Sequence, residues 1–85
     1  MHTEGKLDLE SLLAYLRGRV TFQWYKFGAA LGVPSKVLEN FIKDSEKYSE
    51  EKALIKVLEY WLKNHPTQPS WQEVANALRD IIWIS

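Results

Sequence analysis

The chain of 85 residues has no cysteine, so neither a disulfide nor a thiolate-bound metal can help to hold it together. That absence fits a reducing compartment. Its four glycines and three prolines form no low-complexity linker and no phosphate-cradling glycine loop. No apolar run approaches the ~18–20 residues that a membrane span requires, and no signal-peptide pattern opens the chain. Neither sign of charge prevails: 11 Lys and Arg stand against 11 Asp and Glu. Nucleic-acid binders set cations against phosphate and usually run basic, so the balance argues against that class without excluding a local basic face. Histidine is scarce too. His2 and His65 are far apart and at no ligand spacing, which argues against a metal site. No nucleophile elbow or cofactor motif is present. The expectation is a non-catalytic protein without cofactor or metal.

What is present is a core. Hydrophobic residues make up 46% of the chain and include four Trp, enough for one small domain. A chain of this size buries about 60–65% of its unfolded surface, so its stability will be modest. Residues 1–6 read as a disordered tail or expression remnant, and 7–85 as a single helical bundle.

The stretch WYKFGAALGVPSKVLENFI, residues 24–42, organises the rest. Trp24, Phe27, Gly28 and Leu31 fall at i, i+3, i+4 and i+7, the spacing of a buried helical face. Gly32 stands where a helix most often turns left-handed. Pro34 then opens the next helix, where its missing N–H costs nothing, and Val37, Leu38, Phe41 and Ile42 give that helix its buried side.

Five helices are expected in all. The first, about Leu7 to Arg17, carries Leu9, Leu12, Leu13 and Leu16, with Asp8 as N-cap and Gly18 as stop. The second runs from an N-cap at Thr21 to Leu31. Its Gly28 costs about 1 kcal/mol against alanine, which implies close approach by another helix. The third, about Ser35 to Asp44, leads into a polar connector over 45–48. The fourth, capped by Ser49, carries Leu54, Val57, Leu58, Trp61 and Leu62 in a stripe wide enough for several neighbours; Asn64-His65-Pro66 ends it. Ser70-Trp71-Gln72-Glu73 is an S-x-x-E capping box. It opens the fifth helix, with Trp71, Val74, Ala75, Leu78, Ile81 and Ile82 on one face. The tail IIWIS is too short for a full sixth helix and is expected to pack as a final turn. The expected core is Leu12, Leu16, Trp24, Phe27, Leu31, Leu38, Ile42, Leu54, Leu58, Trp61, Trp71 and Leu78.

Charge is segregated. Lys26, Lys36 and Lys43 fall on the outer faces of helices two and three. Asp8, Glu10, Glu50, Glu51 and Glu59 fall on helices one and four. Such faces could dock one domain on another and steer their association; the plainer reading is a solvated surface. Tyr25 and Tyr48 lie off the stripes, where exposed tyrosines can anchor interfaces.

The pattern resembles a family. Trp24-x-x-Phe27-Gly28-x-x-Leu31-Gly32 is similar to the W-x-x-L-A-x-x-L-G signature in the second helix of death domains. Leu38-x-x-x-Ile42 falls at the family's short third helix. Leu54-x-x-x-Leu58-x-x-Trp61 resembles its fourth helix, and Trp71-x-x-Val74-x-x-Ala77-Leu78 its fifth. The resemblance covers about residues 9 to 80. It implies an all-α, antiparallel six-helix bundle of Greek-key topology, here with a short or missing sixth helix. It also implies an adaptor without catalysis that docks on another death-fold domain, of the same or a different chain, in apoptotic or inflammatory signalling. That places it in the cytoplasm, free or as part of a receptor or adaptor. Gly28 and Phe27 depart from the family's alanine and leucine, and the reduced last helix suggests a domain cut from a longer protein. The alternative is a helix-turn-helix DNA binder that inserts residues 36–44 into the major groove. Lys36, Glu39, Asn40 and Lys43 without arginine are a poor reading head.

Overall fold

In the computed structural model, residues 7–47 and 49–84 are described, with backbone only at 44, 45, 83 and 84. The expected tail at 1–6 and the expected exposure of Tyr48 lie outside these. The order is α1 (Leu9–Leu16), a 3₁₀ turn (Thr21–Gln23), α2 (Trp24–Leu31), α3 (Ser35–Lys47), α4 (Glu50–Asn64) and α5 (Trp71–Ile84), with no strand among the described residues.

Local chemistry sets the ends. The Asp8 carboxylate accepts the Ser11 N–H at 2.8 Å and starts α1. The Ser49 hydroxyl accepts the Lys52 N–H at 3.1 Å and starts α4, whose first turn carries Glu50 and Glu51 against the positive end of the helix dipole. Gly32, at φ 98°, closes α2: its N–H bonds Ala29 O and the Val33 N–H bonds Gly28 O, each at 3.0 Å. These are the paired bonds of a Schellman end. Pro34 precedes α3 by one residue, and its carbonyl accepts from Val37 and Leu38.

Three expectations are corrected. Thr21 does not cap α2. Its Oγ1 turns back to accept the Gly18 N–H at 3.1 Å, and the chain enters α2 through the 3₁₀ turn without a side-chain cap. The third helix extends to Lys47 rather than ending at Asp44, since no glycine or proline interrupts 44–47. The tail is not a separate turn, because α5 continues unbroken through Ile84. In it Ile81 is buried, whereas Ile82 remains 69% exposed.

Helix α4 is the hub and contacts α1, the 3₁₀ turn, α2 and α3; α2 in turn carries α5. The core gathers Leu12, Leu16, Trp24, Phe27, Leu38, Leu54, Leu58 and Trp61 as expected, with Val57, Val74, Ala77 and Ile81 on the same stripes. Leu31, Ile42, Trp71 and Leu78 are half-buried against it rather than fully enclosed. Val20 and Val33, in the corners before the 3₁₀ turn and α3, are buried as well.

At Gly28 a Cβ would come within 2.7 Å of Leu38 Cδ2 and 3.2 Å of Val57 Cγ1. Here α2 meets α3 and α4 so closely that the glycine is a packing requirement, which outweighs its helix penalty.

Candidate functional site

The expected lysine face divides in two. Lys26 is exposed on α2, about 200° around that helix from Gly28 and so turned away from α3. It lines a depression with Ala29, Ala30, Asp80 and Ile81, beside α5. Lys36 and Lys43 are exposed on α3, seven residues apart and thus on one stripe.

The acidic set divides as well. The Asp8 carboxylate caps α1. Glu51 pairs with Arg17 at 2.9 Å, which ties the start of α4 to the end of α1. The pair is exposed at 62% and 44% and therefore adds little to stability. Glu10 and Glu59 are exposed and Glu50 half-exposed. Glu59 lines a depression between α3 and α4 with Phe41, Lys56, Tyr60 and Lys63, so cations flank it on its own helix.

Two features were not read from the sequence. The first is apolar. Tyr15 and Ile82 line a depression between α1 and α5 with Arg19, Leu78 and Ile81; Tyr15 is 44% exposed. Its ring meets Trp71 edge-on at 5.7 Å, and the Arg19 guanidinium lies over it at 4.7 Å. Phe22, on the 3₁₀ turn, is 84% exposed. Tyr25 is half-buried, its ring edge-on to Trp24.

The second is a polar clasp at the α4–α5 corner. The His65 side chain is only 8% exposed, and its Nε2 lies 2.7 Å from Glu73 Oε1. The other oxygen of that carboxylate, Oε2, accepts the Ser70 N–H at 3.1 Å and its hydroxyl at 3.2 Å. The Glu73 N–H reaches Ser70 Oγ at 3.4 Å, which completes the capping box read from the sequence. Glu73 thus joins the helix cap to the imidazole. Its hydrogen bond, helped by the Thr67 carbonyl, holds His65 above its ordinary value against the opposing pull of burial. Glu73 is held below the usual glutamate value, by His65 first and also by Ser70, against its own desolvation. A capping glutamate with a histidine eight residues upstream was the only trace of this in the sequence.

Among the described residues no three His, Cys, Asp or Glu side chains converge as a metal site would require. No helix is long and apolar enough to cross a membrane. No family model matches the chain, and no curated protein or solved structure is significantly similar to it.

Proposed function

We propose that this bundle is a non-catalytic interaction module of death-domain type, which docks on another death-fold domain in an intracellular signalling assembly of the apoptotic or inflammatory kind. One observation carries the reading. The signature residues Trp24, Phe27 and Gly28 all face the interior, and Gly28 lies where α2 crosses both α3 and α4. A junction of three helices calls for a small residue, as the family's second helix has, but here it is too tight for the family's alanine. The non-sequential packing of α2 on α5 adds support for a Greek-key bundle.

The surface supports docking by two kinds of group. Lys26, Lys36, Lys43, Glu10, Glu50 and Glu59 are at least partly exposed on separate faces, which suits pairing between oppositely charged faces of different molecules. Tyr15, Phe22 and Ile82 offer large apolar groups that a partner would cover. Against the DNA reading, α3 packs along α4 and exposes Glu39 beside Lys36, Asn40 and Lys43.

Sedimentation velocity over a wide range of concentration, at low and physiological salt and with and without a generic DNA duplex, tests this. Salt-sensitive growth into discrete larger species without DNA supports homotypic docking. A monomer that binds the duplex with a steep salt dependence supports the helix-turn-helix reading instead.

A further inference from the structure

We propose that His65 is a pH-responsive clasp on the α4–α5 corner: its protonation fastens the first turn of α5 to the connector, and its deprotonation loosens that turn.

The geometry is specific to the two nitrogens. Nε2 faces a carboxylate, Glu73 Oε1, at 2.7 Å. Nδ1 lies 2.9 Å from the Thr67 carbonyl and 3.1 Å from the Thr67 N–H. Only the imidazolium donates at both nitrogens, to Glu73 and to the Thr67 carbonyl together. The neutral ring keeps one proton. If Nε2 retains it, the Glu73 bond is to an uncharged donor, and Nδ1 must accept from the Thr67 N–H instead. Deprotonation therefore exchanges a bond between two opposite charges for one from a neutral donor to the carboxylate and reverses the polarity of the contact with Thr67.

The surroundings isolate this titration. From α4, Trp61 meets the ring edge-on at 5.3 Å, and Tyr60 and Asn64 line the same depression. The corner between α2 and α3 contributes Leu31, Gly32 and Val33, none of them titratable. α5 contributes Glu73. Among the described residues, the charged group that lines this depression beside the ring is Glu73, and Tyr60 is the other titratable side chain there. Because Glu73 also holds Ser70, a change at the ring reaches the cap of α5 directly.

The test is amide-exchange protection of Ser70 and Glu73, whose N–H groups are bonded within the cap, across the His65 titration, with that titration followed by ring NMR in the same samples. In the unaltered chain, protection relative to random-coil exchange is expected to fall as His65 loses its proton. His65→Gln, which can still donate to Glu73 but cannot titrate, should give a flat profile. In Glu73→Gln the His65 midpoint should move down and the pH dependence of protection should shrink, so the test survives if the His65 variant fails to fold. Protection that is unchanged through the His65 midpoint overturns the proposal, as does a pH dependence that persists in either variant at full size.

Discussion

Gly28 of α2 faces Leu38 of α3 with no room for a methyl group: a Cβ on the glycine would lie 2.7 Å from Leu38 Cδ2, with Val57 of α4 close behind. Leu38 is fully buried and cannot swing into solvent, and the β-branched Val57 is stiff. Gly28→Ala sets overpacking of about 1–3 kcal/mol against a gain in helix propensity of about 1 kcal/mol. A net loss of about 1 kcal/mol is expected, read as a lower urea midpoint at unchanged slope. Gly28→Val should cost more. A stabilised alanine variant would show that the junction is looser than the structure has it.

Gly32 is constrained for a different reason. A Cβ there would meet nothing within 4 Å, but the residue sits at φ 98°. Gly32→Ala should therefore cost about 1–2 kcal/mol through backbone conformation alone. Gly32→Asn should cost less, since asparagine tolerates the left-handed region. Equal costs for the two would place the penalty elsewhere.

Trp61 is buried in the core from the hub helix, at the edge where it meets His65 edge-on. Trp61→Ala is expected to cost about 3–5 kcal/mol, the range for emptying a large core aromatic, out of a total of about 5–15 kcal/mol for a domain. Thermal unfolding of the variant should begin near ambient temperature. A melting point within a few degrees of the parent would contradict the packing described for α4.

The His65–Glu73 pair sets a pH window. His65 is raised in the folded chain, so its contribution is complete below the ordinary value of 6.5 and is lost as pH rises through the folded value. Glu73 is lowered, so its contribution is complete above the ordinary 4.5 and is lost as pH falls through its folded value. Both hold between those two ordinary values, where the melting temperature should reach a maximum. His65→Gln should flatten the alkaline side of that maximum and leave much of the acid side. An unaltered alkaline limb would mean that another group titrates there.

Much of this was readable from residue spacing, and the rest fails for identifiable reasons. The Ser70–Glu73 box, the Asp8 and Ser49 caps and the Gly32 corner each depend on contacts within about one turn, which spacing reveals. Gly28 was legible because a helix tolerates mid-helix glycine only for a cause. Thr21 was misassigned because its hydroxyl had two candidates, the next helix or Gly18 three residues back, and the turn geometry favoured Gly18. The length of α3 was hidden because 44–47 carry neither a breaker nor an apolar marker. Ile82 reads as part of the packed face because spacing does not show how wide the covered side of α5 is, and the cover ends between Ile81 and Ile82. The clasp depends on a partner across a proline-containing corner, and no periodicity reports on that. The lysines share an outward direction but not a face, a distinction that only the helix arrangement makes.

That division sharpens the docking test. Lys36→Glu with Lys43→Glu alters one face and Lys26→Glu another, so the two sets can be examined apart. If one face docks, one set should abolish association while helical circular dichroism is retained, and the other should leave it largely intact. If both faces dock, each set alone should weaken association. If association survives reversal of all three lysines, the charged faces do not carry it, and the exposed apolar residues Tyr15, Phe22 and Ile82 become the ones to alter.

The most direct measurement remains sedimentation velocity of the unaltered chain against concentration and salt, with and without a DNA duplex. An interaction module that docks on its own kind should grow into discrete larger species as concentration rises, more so at low salt, and ignore the duplex. A chain that stays monomeric at every concentration and binds the duplex with a steep salt dependence would contradict the account.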